Sequence, residues 1–119
     1  MTIYRQGDVL LIATSKVPAG AVKVPRDRRV KGSAIGCIVL AYGEVTGHAH
    51  AIAHSQAVLL SMPQVAKDGN PDAVDRWLRL PRPAKLRHEE HETIELPAGD
   101  YIVRRQREYH PEELRVVAD

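Results

Sequence analysis

Short apolar runs, each closed off by glycine, proline or an acidic turn residue, recur along this chain and leave little room for helices. Val9-Leu10-Leu11-Ile12-Ala13, the stretch 33–42, the run from Ala57 to Met62, Trp77-Leu78-Arg79-Leu80, Glu92-Thr93-Ile94-Glu95-Leu96 and Tyr101-Ile102-Val103 all have this form. Their β-branched and aliphatic content, and a spacing near the roughly 8–12 residues of strands joined by tight turns, predict antiparallel strands. The expected fold is therefore mainly β: one domain over residues 1–119, built as a small antiparallel sandwich or barrel with minor helix. There is no phenylalanine, so the core must come chiefly from Val, Ile, Leu and Ala.

Turn chemistry fills the intervals. Gly7-Asp8 reads as a turn ahead of the first strand, and residues 43–47, with a glycine at each end, as a hairpin connection. Residues 22–32 are basic and carry Pro25, which suits an exposed loop or a frayed edge strand. Residues 63–75 are dense in turn formers. Pro97-Ala98-Gly99-Asp100 has the proline and glycine placement of a type II turn. Near the end, Pro111 followed by Glu112 and Glu113 predicts one or two helical turns.

Histidine carries the chemistry. All six histidines except His110 fall in two stretches, 43–54 and 88–92. In the first, His48, His50, Ile52 and His54 share one strand parity, while Ala49, Ala51 and Ala53 take the other. Same-side neighbours on a strand stand roughly 6.5–7 Å apart, close enough for two imidazoles to converge on one metal ion. If these histidines face inward, metal or hydrogen bonds must satisfy them, because burying bare polar groups is costly. A solvent-facing stripe on an ordinary edge strand is the plainer alternative. The second stretch, His88-Glu89-Glu90-His91-Glu92, supplies two more imidazoles. Glu89 and Glu90 are candidates to orient them or to act as catalytic acid/base on a metal-bound water. The candidate ligands are His48, His50, His54, His88 and His91, for a divalent transition metal such as zinc, nickel, iron or manganese. This stretch fits neither of the usual helical zinc-peptidase motifs.

The G-x-x-x-x-H-x-H spacing of Gly43, His48 and His50, with Pro97-Ala98-Gly99-Asp100 late in the chain, resembles the cupin pattern. That resemblance implies a jelly-roll barrel holding a divalent metal inside. His54 stands where the cupin motif has a glutamate, and Ile102 where it has its last histidine. The chain is also similar to small bacterial and phage proteins with G-E-V-T-G-H-x-H and H-E-E-H runs, a likeness that implies both clusters serve one site.

Two further readings compete. Arginines at Arg76–Arg87 and Arg104–Arg107, with Trp77, Tyr101 or Tyr109 for stacking, would suit a nucleic-acid-binding module. A net charge of +2 gives that reading no general electrostatic support. A structural or interaction subunit is the other. Open strand edges make a homodimer the expected assembly in each case. The single cysteine, Cys37, reads as a buried inert thiol, and with no signal-peptide pattern the expected setting is the cytoplasm, without membrane.

Overall fold

A computed structural model describes residues 2–24, 36–42, 48–63 and 76–105, and these form ten strands, all paired antiparallel. They are β1 (Ile3–Gln6), β2 (Val9–Thr14), β3 (Val22–Lys23), β4 (Cys37–Tyr42), β5 (Ala49–Ala53), β6 (Val58–Ser61), β7 (Arg76–Leu80), β8 (Ala84–Leu86), β9 (Ile94–Leu96) and β10 (Gly99–Arg105). The expected mainly β architecture is what is observed. The expected hairpin at 43–47, most of the loop at 63–75 and the closing helical turns lie outside the described residues.

Six strands make one sheet in the order β1-β2-β10-β7-β6-β3. The remaining four make the second layer. β4 pairs with β5, β8 pairs with β9, and the two pairs join where Ala51 and Arg87 exchange backbone hydrogen bonds of 2.9 Å in both directions. One core unites the layers. Val9, Leu11, Leu59, Leu78, Leu80, Tyr101 and Val103 from the large sheet pack with Leu40, Ile52, Ala84, Leu86 and Leu96 from the other. Alternation explains the selection: Val9 and Leu11, Leu78 and Leu80, and Tyr101 and Val103 each sit two residues apart on one face. Of the two expected shapes the arrangement is sandwich-like, since among the described residues the six-stranded sheet ends on β1 and β3 rather than closing.

Three local departures from the sequence expectations have clear causes. Residues 3–6 form a strand because Gly7-Asp8 is a two-residue hairpin turn: Gln6 pairs with Val9, and Gly7 takes φ +58°. β8 forms despite Pro81 and Pro83, because Ala84 and Leu86 alternate inward. At Gly99, φ is +144° and the residue already pairs with Leu80, so strand geometry begins inside the expected turn.

Candidate metal centre

Three segments far apart in sequence meet at one end of the sandwich: the β1–β2 turn, the start of β5, and the loop 87–93 between β8 and β9. Gln6 ties them together. Its side chain is buried, its Nε2 donates to the carbonyls of Leu86 (2.9 Å) and Glu92 (3.0 Å), and its Oε1 lies 2.8 Å from His50 Nδ1. Because the amide nitrogen faces two carbonyls, the oxygen is the end turned to His50, and His50 carries its hydrogen on Nδ1. His50 Nε2 then faces Asp8 Oδ1 at 3.4 Å. Asp8 is held in turn by Arg105, whose Nε donates to Oδ2 (2.7 Å) and whose Nη2 donates to the Tyr42 carbonyl (2.6 Å).

Four of the five expected imidazoles assemble here. Ring centroids of His50 and His88 are 4.3 Å apart, those of His88 and His91 are 4.6 Å apart, and both His48–His88 and His50–His91 are 5.8 Å. His50 is the inward one, 2% exposed beside Ile52, and the alanines take the opposite face as their parity requires. Burial first, then the neighbouring His88, pushes the His50 imidazole from its ordinary 6.5 down to about 4, with Asp8 opposing. Burial and then His91 lower His88 as well. Both rings are therefore neutral near pH 7, the protonation state in which imidazole has a lone pair for a metal.

His54 does not join them. The strand ends at Ala53, and His54 opens a 3-10 turn (His54–Gln56) in which it is exposed, its backbone nitrogen bonded to the Gly36 carbonyl. His110 lies outside the described residues.

The loop residues divide their roles. His88 Nδ1 accepts the backbone N–H groups of Glu90 (3.0 Å) and His91 (3.3 Å), so the neutral ring carries its hydrogen on Nε2 and braces the turn that presents His91. Glu89 accepts the Ala49 N–H on both carboxylate oxygens (3.0 and 3.3 Å), strapping the loop to β5. Glu90 is exposed, with Oε1 3.2 Å from His48 Nδ1, and that nitrogen is shut off from solvent without a hydrogen-bond partner among the described residues. His48, His88 and Glu89 also bring ligand atoms within 4.8 Å of one another. Bonds of about 2.0–2.2 Å place neighbouring ligands roughly 3–3.5 Å apart, a separation that His50 Nε2 and Asp8 Oδ1 match at 3.4 Å.

Asp8 and Gln6 are the residues that sequence reasoning missed. Gly7-Asp8 carried a turn signal, and the turn explained the aspartate without further use. A cleft of about 300 Å³, lined by Arg5, Gln6, Gly7, His91 and Glu92, opens at this corner. A second cavity of about 570 Å³ lies over the alanine face of β5, with Lys85, Arg87, Glu89 and Glu95 around it.

Among the described residues, three arginines of the expected basic clusters are engaged within the protein: Arg76, Arg79 and Arg105. Arg76 is buried at 2% exposure and donates from Nη2 to the Leu40 carbonyl at 2.7 Å, so it cannot belong to a basic outer face. Arg79 pairs with Asp100 at 3.0 Å, and Trp77 and Tyr101, expected as stacking platforms, are buried. Among the described residues no helix is long and apolar enough to cross a membrane.

Neither curated proteins nor solved structures yield a match to the chain. A family model described as a domain of unknown function, DUF8820, matches residues 5–106. That span takes in β2 through β10 and every residue of the histidine cluster, and the chain belongs to the DUF8820 family.

Proposed function

We propose that this protein binds a divalent transition metal ion through the imidazoles of β5 and the 88–91 loop. The observation that carries the reading is the convergence of four neighbouring rings, His48, His50, His88 and His91, around a His50 side chain buried to 2% exposure. Crowded imidazoles beside carboxylates form an electron-rich pocket, and a cation is the partner that such a donor set suits.

The residues fit an ion on two counts. His48 Nδ1 is closed off from solvent and meets only the exposed Glu90 carboxylate, 3.2 Å away in a contact that lacks hydrogen-bond geometry, and a ligated metal would satisfy it better. His50 has its other ring nitrogen occupied by Gln6, the outer support that metal-bound histidines ordinarily have. His48, His50 and His91 are the imidazoles available to hold the ion, with His88 bracing the loop. A bound ion would supply Lewis acidity at the mouth of the cleft beside Gly7. Glu90, exposed and 3.2 Å from His48, is the carboxylate we assign to proton transfer, while Glu89 is engaged with Ala49.

Thermal unfolding of chelator-treated protein, followed by addition of zinc, nickel, iron(II) or manganese in turn, tests the reading. A ligand that binds only the folded state at 100 times its Kd adds about 2.7 kcal/mol, so at least one ion should raise Tm by several degrees. Identical melting with chelator and with every ion would defeat it.

A further inference from the structure

We infer that Asp8, from the β1–β2 turn, is itself a ligand of this metal and that the site is a mixed imidazole–carboxylate one. The inference rests on the metal-binding reading and adds to it a residue outside the histidine clusters. Three pieces of geometry support it.

The first is the tautomer of His50. Gln6 Nε2 is committed to the Leu86 and Glu92 carbonyls, so Oε1 accepts from His50 Nδ1. The nitrogen left over, Nε2, offers a lone pair, and 3.4 Å away stands Asp8 Oδ1, which also offers lone pairs. Two acceptors facing each other repel unless a proton or a metal lies between them. The second is the distance. Two ligands on one tetrahedral ion, with bonds near 2.1 Å, are separated by about 3.4 Å. The third is the fixed orientation of the carboxylate. Arg105 takes Oδ2 at 2.7 Å, which leaves Oδ1 as the ligating oxygen, and the Tyr42 carbonyl fixes the guanidinium in its turn.

Gly7 opens the space around this pair. A Cβ added there would lie 2.7 Å from His91 Nε2 and 3.2 Å from His50 Cε1, so both rings border room that the glycine leaves free. His91 is the next imidazole along this space, and a shift of its ring toward Gly7 would be needed for it to share the ion with His50 and Asp8. Such a set of nitrogen and oxygen donors suits iron(II), manganese, nickel or zinc better than soft copper(I).

Metal affinity of the full chain, measured by equilibrium dialysis against zinc and manganese for wild type and Asp8→Asn, tests this. Asparagine keeps the shape and removes the charge. The expected result is a loss of tenfold or more in affinity, with the unfolding midpoint of the metal-free protein close to wild type. Uptake by wild type with unchanged affinity in D8N would overturn the Asp8 assignment alone, and would mean that Asp8 serves as an ion-pair partner of Arg105. No uptake by wild type would defeat the metal reading itself. Asp8→Cys loaded with cobalt(II) is an independent check. Coordination at position 8 predicts a thiolate-to-cobalt charge-transfer band in the near ultraviolet that wild type, whose Cys37 pairs with Ala53 at the other end of β5 from Ala49, does not show. A folded, cobalt-loaded D8C without that band would overturn the assignment.

Discussion

Gln6 Oε1 accepts the Nδ1 hydrogen of His50 at 2.8 Å, with both side chains buried and the two residues 44 positions apart in the chain. The same amide holds the carbonyls of Leu86 and Glu92, so one side chain fixes the orientation of an imidazole and the path of the loop opposite. Gln6→Leu removes the partner of two buried groups, the Leu86 carbonyl and His50 Nδ1, and of the more exposed Glu92 carbonyl. At about 1–3 kcal/mol each, with some relief from water, the expected loss is roughly 3 kcal/mol in urea unfolding of the metal-free protein. Metal affinity should fall about 10- to 100-fold besides, the usual effect of removing an outer support of a ligand histidine. A variant with wild-type stability would show that the bridge contributes little.

The turn next to it makes a separate test. Gly7 sits at φ +58°, and an added Cβ would meet His91 Nε2 at 2.7 Å. Gly7→Ala should cost about 1–2 kcal/mol from the left-handed backbone alone, and the His91 ring must swing aside. Weaker metal binding together with lower stability is the expected pair of results. Lower stability with unchanged binding would remove His91 from the site.

Acid should destabilise the metal-free protein in a defined window. The folded His50 titrates near 4 and the unfolded one near 6.5. Between those values the unfolded chain holds a proton that the folded one lacks, so stability falls as pH drops from about 6.5 toward 4 and levels off beyond. The most this group can remove is on the order of 3 kcal/mol, and His88, shifted the same way, adds to it. Urea midpoints of metal-free wild type and His50→Asn between pH 7 and 5 check the claim. A midpoint equally flat in both would contradict it.

Arg76 is interior structure. Its Nη2 meets the Leu40 carbonyl where the β4–β5 register slips between Val39 and Ala41 and leaves Leu40 outside the ladder. Arg76→Met should cost roughly 1–3 kcal/mol through that unpaired carbonyl, and Arg76→Lys should recover little, because an ammonium lacks the planar reach of guanidinium. Restored stability in the lysine variant would show that charge alone matters there.

How far the chain could be read in advance follows from how local each signal was. Val9–Thr14, Val58–Ser61 and Ile94–Leu96 are strands whose alternation or apolar run is visible within a few residues. His48 and His50 share a face for the same reason, and parity placed the alanines opposite. Residues 3–6 were less legible, because Tyr4, Arg5 and Gln6 look like a polar terminus until β2 pairs with them. Arg76 read as surface for lack of any sign that a bulge in β4 would call for a donor. His54 shares the parity of His50, yet the strand stops one residue before it. Asp8 and Gln6 become site residues only through contacts with His50, Arg105 and the 87–93 loop. Such pairings belong to the tertiary fold, and no local pattern encodes them.

The most direct test of the central claim is elemental analysis of untagged protein, comparing wild type with the His48→Ala/His50→Ala double variant. The account predicts near-stoichiometric transition metal in the first and its loss in the second, with the variant still folded. Absence of metal from both, even after incubation with zinc, nickel, iron and manganese, would contradict it.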